Sequence, residues 1–392
     1  MTPAARVQAA IELLDQIVAA ARANGAPADR IVADGLRARR YAGSKDRRAI
    51  RDLTYAAIRA CGPLPESGRA AMLRLAGLDA PIGELFDGSD YGPARLEADE
   101  QAAVGGIAPR WLEARLAASG IAGDEALALL SRAPLDIRVN RLKAKRDELE
   151  LPLAGELLPV PDGLRYPNGT QVEQWAAYHA GWIEVQDCGS QIACLAAGAQ
   201  PGETVVDLCA GAGGKTLALA AAMDNRGTLI AADTDRSRLS RMGPRAERAG
   251  AAVAETVLLD PKRERTALAP WLGGVDLVLV DAPCSGVGTW RRNPEARWRL
   301  DPQQLARLTD LQAYLLDLAA DLAGPRGRIT YITCSLLDEE GRDQVEGFLA
   351  AHPDWRAEAP ELPLGTPHGQ GIRLTPQHDA TDGFFIACLF RA

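Results

Sequence analysis

No stretch of the 392 residues strings together the roughly 18 uncharged apolar residues that a membrane-spanning helix needs. The first 24 residues lack a basic segment leading into an apolar block, and Glu12, Asp15 and Arg22 interrupt them, so no secretory leader is expected. The seven cysteines are scattered and none forms a CxxC pair. That argues against a disulfide framework or a structural zinc site, and for a reducing, cytoplasmic setting with no metal. Internal repeats and low-complexity tracts are missing too. Positive charge is also scarce: the net charge of −8 counts against nucleic-acid binding by the surface as a whole, because phosphate contacts need Lys and Arg.

Charge is nevertheless uneven. Residues 1–60 hold eleven Lys and Arg against six Asp and Glu, leaving −13 for the rest. An acidic protein with a basic N-terminal segment can still bind RNA through that segment. Hydrophobic residues make up 47%, ample for packed cores, and the length suggests two or three domains.

The first segment reads as helices. Val7, Ala10, Ile11, Leu14, Ile17, Val18 and Ala21 recur at three- and four-residue steps, and Gly25-Ala26-Pro27 ends that face. A second helix runs towards Leu36, and Ser44 is the expected N-cap of a third through Ile50, Leu53, Ala57 and Ile58. The arginines between 37 and 51 read first as a solvated helix face and second as a phosphate-binding stripe. Short helices are expected over 62–125, one beginning at Pro109-Arg110-Trp111-Leu112. Texture changes at 134–190, where Leu135–Val139 alternates like a strand and Pro152, Pro159, Pro161 and Pro167 punctuate a small mixed region.

From about 200 the pattern alternates strand and helix: strands at 204–206, 228–232, 253–259, 275–280 and 328–333, with a helix over Leu217 to Met223. This predicts an α/β fold with a parallel sheet covered on both faces, whose ligands sit beyond the carboxyl ends of the strands. Four clusters stand there. Asp207-Leu208-Cys209-Ala210-Gly211-Ala212-Gly213-Gly214-Lys215-Thr216 is a glycine-rich turn, though its spacing matches neither a P-loop nor GxGxxG. Asp233 closes the second strand, where a carboxylate suits a ribose diol; Asp235 is the better helix cap, and Asp260 holds the matching place after the third strand. Asp281-Ala282-Pro283-Cys284-Ser285-Gly286 and Thr333-Cys334-Ser335 complete the set. A single cysteine is more often a small buried hydrophobe than a nucleophile. Two thiols and a carboxylate at neighbouring strand tips, beside a glycine turn, are an unusual coincidence.

At these residues the sequence resembles the RsmB/Nop2/Sun family of RNA (cytosine-5) methyltransferases, from about Val185-Gln186-Asp187 to Asp382-Gly383-Phe384-Phe385-Ile386-Ala387. One departure is visible: the family has Ala-Pro before Gly-Gly-Lys where this chain has Gly211-Ala212, which removes a proline stiffener from the turn. The resemblance implies three parts: a helical NusB-like RNA-binding domain over 1–125, a small α+β RNA-binding extension over 126–185 with Arg138-Val139-Asn140, and a class I, Rossmann-like methyltransferase domain over 186–392. It implies S-adenosylmethionine as cofactor, held by Cys209, Ala210, Gly211, Ala212, Gly213, Gly214, Lys215, Asp233, Asp260 and Asp281. Cys334 would be the covalent nucleophile on cytosine carbon 6. Cys284 would assist proton loss and product release, and Asp281 would also face the base. Ribosomal RNA, 16S above all, is the implied partner, with a monomeric protein and no membrane. Arg291, Arg292, Arg297 and Trp298 follow the third cluster and could grip RNA or stack on a base, or form a solvated loop.

Other readings stay open. They are a methyltransferase of the same fold acting on protein or a small molecule, a transfer RNA methyltransferase, a non-catalytic RNA-binding or ribosome-assembly factor, and a nicotinamide-dependent oxidoreductase. The thiol pair disfavours the first, and the glycine spacing the last.

Overall fold

A computed structural model describes residues 1–391, which form two compact units. The first comprises 1–131 together with 289–301, and the second 132–288 with 302–392. The chain therefore leaves the second unit just after the Asp281–Gly286 cluster, contributes thirteen residues to the first, and returns.

The first unit is helical. Helix α1 (Pro3–Arg22) starts at Thr2, whose hydroxyl accepts from Ala5 N, and buries Val7, Ala10, Leu14, Ile17, Val18 and Ala21, the face expected from spacing. It packs with α2 (Ala28–Ala38), α3 (Ser44–Ala60) and α4 (Gly68–Ala76) around one apolar core. Ser44 is the first residue of α3 rather than its cap: Gly43 occupies the N-cap position and no side chain caps that end. A further helix begins at Arg110, after Pro109, as expected.

Segment 289–301 finishes this unit. Glu295 accepts from Ala28 N at 2.9 Å and so caps the start of α2, which has no capping side chain of its own. Arg297 donates to the Ile58 and Cys61 carbonyls at 2.7 and 2.6 Å, where α3 ends. Arg299 donates to Gly25 O and Ala26 O beyond the end of α1. Helix ends leave carbonyls and N–H groups unpaired, and one short segment supplies partners at three of them. Trp298 fills the helical core and donates from its indole to Gly62 O at 3.1 Å.

The second unit holds two sheets. The smaller is antiparallel, in the order β2 (Glu156–Leu157), β3 (Gly163–Tyr166), β1 (Leu135–Val139), β4 (Ile183–Val185). The alternation in β1 does not mark a wet face. Asp136 pairs with Arg165 at 2.7 Å, Arg138 donates to Gln186 at 2.6 Å, and both are buried. Asn140 reaches the carbonyls of Gly181 and Ala249, so both polar residues of Arg138-Val139-Asn140 bind the unit's own atoms.

The larger sheet carries the predicted parallel core: β5 (Thr204–Asp207), β6 (Thr228–Asp233), β7 (Glu255–Leu258), β8 (Val275–Asp281) and β9 (Ala323–Thr333). These central strands are near-continuous apolar runs, as expected of a sheet covered on both faces. Beyond β9 lie strands the sequence pattern did not disclose. They are β13 (Phe384–Arg391), antiparallel to β9 and also paired with β10 (Trp355–Glu358), then β12 (Gly371–Leu374) and β11 (Thr366–His368). The spatial order β7-β6-β5-β8-β9 reverses direction between β5 and β8, so the crevice lies above those two strand ends. Among the described residues no helix is long and apolar enough to cross a membrane.

Candidate active site

The tips of β5, β6, β8 and β9 converge. After β5, Gly211 and Gly213 take positive φ (56° and 89°), and a Cβ on Gly213 would meet the Met242 side chain at 2.9 Å. Four hydrogen bonds fix this turn: Ala210 N to Ala232 O, Gly213 N to Ala210 O, Gly211 N to an Asp233 carboxylate oxygen at 2.7 Å, and Arg245 to Ala212 O. The turn is thus held in place without the proline that Gly211-Ala212 lacks. The helix Gly214–Ala222 starts directly from it, offering unpaired N–H groups to an anionic group.

Asp233 is buried, and both its oxygens accept backbone N–H groups, from Gly211 and Asp235. It welds the glycine turn to the tip of β6 while its remaining lone pairs stay available to hydroxyl donors. Asp235 is the helix cap, accepting from Arg238 N. Asp260 is exposed just beyond β7. Asp207 ends β5 fully buried: Thr216 donates to one oxygen at 2.6 Å and the other has no partner. Burial pushes its pKa up to about 7, against the pull of the Thr216 hydroxyl. Sequence reading quoted Asp207 only as the first residue of a cluster and gave it no role.

Lys215 reaches back to Asp281 at 2.6 Å and lies 5.7 Å from the Phe384 ring centroid. Burial disfavours its charge, but the Asp281 carboxylate outweighs that and holds the ammonium well above its ordinary pKa, with Cys334 adding to the effect. Lys215 thus carries a positive charge within electrostatic reach of Cys334.

Strands β8 and β9 run parallel with Asp281 opposite Ile332, which sets their two tips side by side. Cys284 and Cys334 face one another with sulfurs 3.3 Å apart, both partly accessible. The hydrogen bond it shares with Cys334, with burial behind it, raises the Cys284 thiol well above an ordinary cysteine. Gly288 N donates to Cys334 O and Gly288 O accepts from Gly383 N; a side chain on Gly288 would collide with the Gly383 carbonyl, so only glycine lets the two loops close up. Cys209 is raised by burial and by Asp207, Asp281 and Asp233, and Cys194, Cys61 and Cys388 are each pushed up to about 11 by burial.

The four residues offered as RNA contacts are not presented as such. Arg297, Trp298 and Arg291 are buried in the helical unit and Arg292 is half-buried. The Arg291 carbonyl accepts from Arg59, and the Arg297 guanidinium is taken up by carbonyls. Sequence separation hides this, since their partners lie more than 230 residues away. Ser285 and Ser335, which the motifs contain without a role of their own, and Gln312 and Glu340, which no motif marks, surround the cysteine turns. A groove of about 1000 Å³ on the helical unit, lined by Glu12, Asp15, Tyr41 and Tyr91 among others, contains none of the strand-tip residues. No group of three or more His, Cys, Asp or Glu suited to a metal occurs among the described residues.

The family described as 16S rRNA methyltransferase RsmB/F matches residues 194–390. A ribosomal RNA small subunit methyltransferase B of Sodalis glossinidius is 33% identical over 354 residues, 86% of this chain and 79% of its own. The enzyme of the same name from Salmonella agona is 37% identical over 274 residues, 66% of this chain but only 60% of its own length. Among solved structures, PH0851 superposes with a TM-score of 0.76 at 25% identity over 99% of both chains. A methyltransferase homolog protein from Pyrococcus horikoshii, 24% identical and covering 72% of this chain and 99% of its own, shares the fold with a TM-score of 0.60.

Proposed function

The chain belongs to the RsmB/F methyltransferase family, and on that premise we propose that it methylates carbon 5 of an unpaired cytosine in ribosomal RNA, with Cys334 as covalent nucleophile. One observation carries the reading: two accessible thiols 3.3 Å apart at adjacent strand tips, beside a Lys–Asp pair and a glycine turn. Direct transfer to nitrogen or oxygen would need neither thiol.

The site suits S-adenosylmethionine. The turn 209–215 offers close backbone approach, Asp233 and Asp260 at the ends of β6 and β7 would accept from ribose hydroxyls, and the Asp281 carboxylate would favour a cationic sulfonium. Bound there, the cofactor supplies an electrophilic methyl group. Carbon 5 of cytosine is a weak nucleophile. Addition of the Cys334 thiolate at carbon 6 makes the ring enamine-like, so that carbon 5 can take the methyl. Lys215 brings a positive charge to this end of the crevice. Asp281, held by Lys215, would hydrogen-bond the base edge. Cys284 then takes the proton from carbon 5; those electrons re-form the 5,6 double bond, and the carbon–sulfur bond breaks to restore the Cys334 thiolate. A stacked base cannot reach such a crevice, so the target is a loop nucleotide or one flipped out. The basic N-terminal helices would add phosphate contacts.

The test is transfer of labelled methyl from S-adenosylmethionine to unmodified ribosomal and transfer RNA. Wild type should label cytosine 5 in ribosomal RNA; Cys334→Ala should label nothing, and Cys284→Ala should accumulate a covalent protein–RNA adduct. Full activity of Cys334→Ala would remove the nucleophile assignment. Label confined to transfer RNA would move the substrate.

A further inference from the structure

Glu340 follows Cys334 by six residues, yet its side chain serves the turn of the other cysteine. One carboxylate oxygen accepts from Ser285 N at 2.8 Å and from Gln312 Nε2 at 3.1 Å, and the second accepts from the Ser285 hydroxyl. Gln312, on the helix Pro302–Leu322, also donates to Pro283 O at 2.8 Å. Both neighbours of Cys284 in the chain are thereby gripped, Pro283 by Gln312 and Ser285 by Glu340. The Ser285 hydroxyl lies 3.2 Å from that of Ser335, which joins this turn to the one bearing Cys334. Tyr331 donates to Glu340 O at 2.8 Å and pins the short turn Asp338–Glu340 from below.

Glu340 is fully buried, and its hydrogen bonds come from neutral donors, with no ion pair among the described residues. A buried carboxylate without a cation is expensive, and an apolar or amide side chain would pack at least as well. Its charge calls for a use. Once the Cys334 sulfur is bound to carbon 6, its hydrogen bond no longer acts on the Cys284 proton. Burial and the Glu340 charge remain.

We propose that Glu340 is a positioning residue for product release, which fixes Cys284 against Cys334 through Ser285 and Gln312. This rests on the release role given to Cys284 above. The proton balance closes. Cys284 yields its own proton to solvent once Cys334 is bound, takes the carbon 5 proton, and ends as the thiol beside a restored Cys334 thiolate.

The experiment compares wild type, Cys284→Ala, Glu340→Gln and Glu340→Asp in single turnover with substrate RNA and S-adenosylmethionine, reading the ratio of covalent adduct to released product between pH 6 and 9. Glu340→Gln should raise that ratio roughly ten- to a hundredfold, the scale of a misplaced catalytic group. Its release profile should also move to lower pH, because removing the negative charge lowers the proton affinity of Cys284. Glu340→Asp keeps the charge and should retain the wild-type pH profile with a smaller release defect. A purely structural role would slow all steps without moving the pH profile. Should Glu340→Gln fail to fold, Ser285→Ala and Gln312→Ala decide, each expected to accumulate adduct while still binding S-adenosylmethionine. Wild-type release ratios in the Glu340 variant, or in both substitutes, overturn the proposal. If Cys284→Ala itself releases product normally, the role of Cys284 fails first, and that result is distinct from wild-type release by Glu340→Gln alone.

Discussion

The residues on either side of Gly288 use polar side chains in opposite ways. Before it, Asp281 to Gly286 keeps reactive atoms partly open: a thiol facing a thiol, and a carboxylate holding one ammonium. After it, Thr289 to Asp301 brings arginines and a tryptophan suited to gripping RNA, and the protein's own backbone occupies them. A guanidinium donates to a helix-end carbonyl as readily as to a phosphate. Residue type alone therefore does not separate an RNA clamp from a structural clasp; what matters is whether the donors are already taken.

The contrast predicts its largest effect at Trp298. Trp298→Ala should cost about 3–5 kcal/mol through a cavity in the helical core and a lost indole bond. It should raise hydrogen exchange in α1, α3 and α4 while β5, β6 and β8 stay protected. Cys334→Ala should do the reverse, abolishing methyl transfer while changing stability by less than about 1 kcal/mol. Weakened RNA binding by Trp298→Ala with unchanged exchange in the helices would restore the RNA-contact reading.

The same logic explains what the sequence disclosed. The strands β5, β6, β8 and β9 were legible because a sheet covered on both faces forces continuous Val, Ile and Leu, and because ligand chemistry collects just past their ends. Cys284, Cys334 and the glycine turn stood out for that reason. The antiparallel strands β10, β11 and β12 were not legible, being only three or four residues long, and β13 drew notice only through the motif at its start. Glu340 stands in the acidic run Asp338-Glu339-Glu340, a kind of run that in most proteins faces water, and Gln312 carries no motif that marks it out. Their importance comes from burial, and burial of a polar residue is set by partners far along the chain. Thirteen residues of the catalytic half complete the helical unit, a splice that no local composition shift announces.

Asp207 sharpens the comparison as a group on the chemical side left half satisfied. Burial, with the nearby Asp281 charge, lifts its pKa to about 7, whereas an exposed aspartate titrates near 4. The folded protein keeps this proton up to about pH 7 and the unfolded chain loses it near 4. The stability it contributes is complete below pH 4 and is lost as pH rises to 7, on the order of 4 kcal/mol in all. Asp207→Asn, which can still accept from Thr216, should melt higher than wild type at pH 8, with the gap closing towards pH 4. A constant difference across that range would mean the carboxylate is not strained by its site.

The smallest effect separates two aspartates two residues apart. Asp235 accepts from Arg238 N and caps a four-residue helix, so Asp235→Ala should cost about 1 kcal/mol and leave S-adenosylmethionine binding, read by calorimetric titration, within about threefold of wild type. Asp233 ties the glycine turn to β6 and keeps lone pairs facing the crevice, so Asp233→Asn should weaken that binding at least roughly tenfold, the scale of one lost charge-assisted hydrogen bond. Asparagine keeps one acceptor but turns the other into a donor that faces a backbone N–H, so the turn and the ligand are disturbed together. Hydrogen exchange at Gly211 and Gly213 divides the two contributions. A tenfold affinity loss with the turn still protected assigns Asp233 to the ligand. The same loss with the turn exposed makes Asp233, like Arg297, a residue whose polar atoms serve the fold.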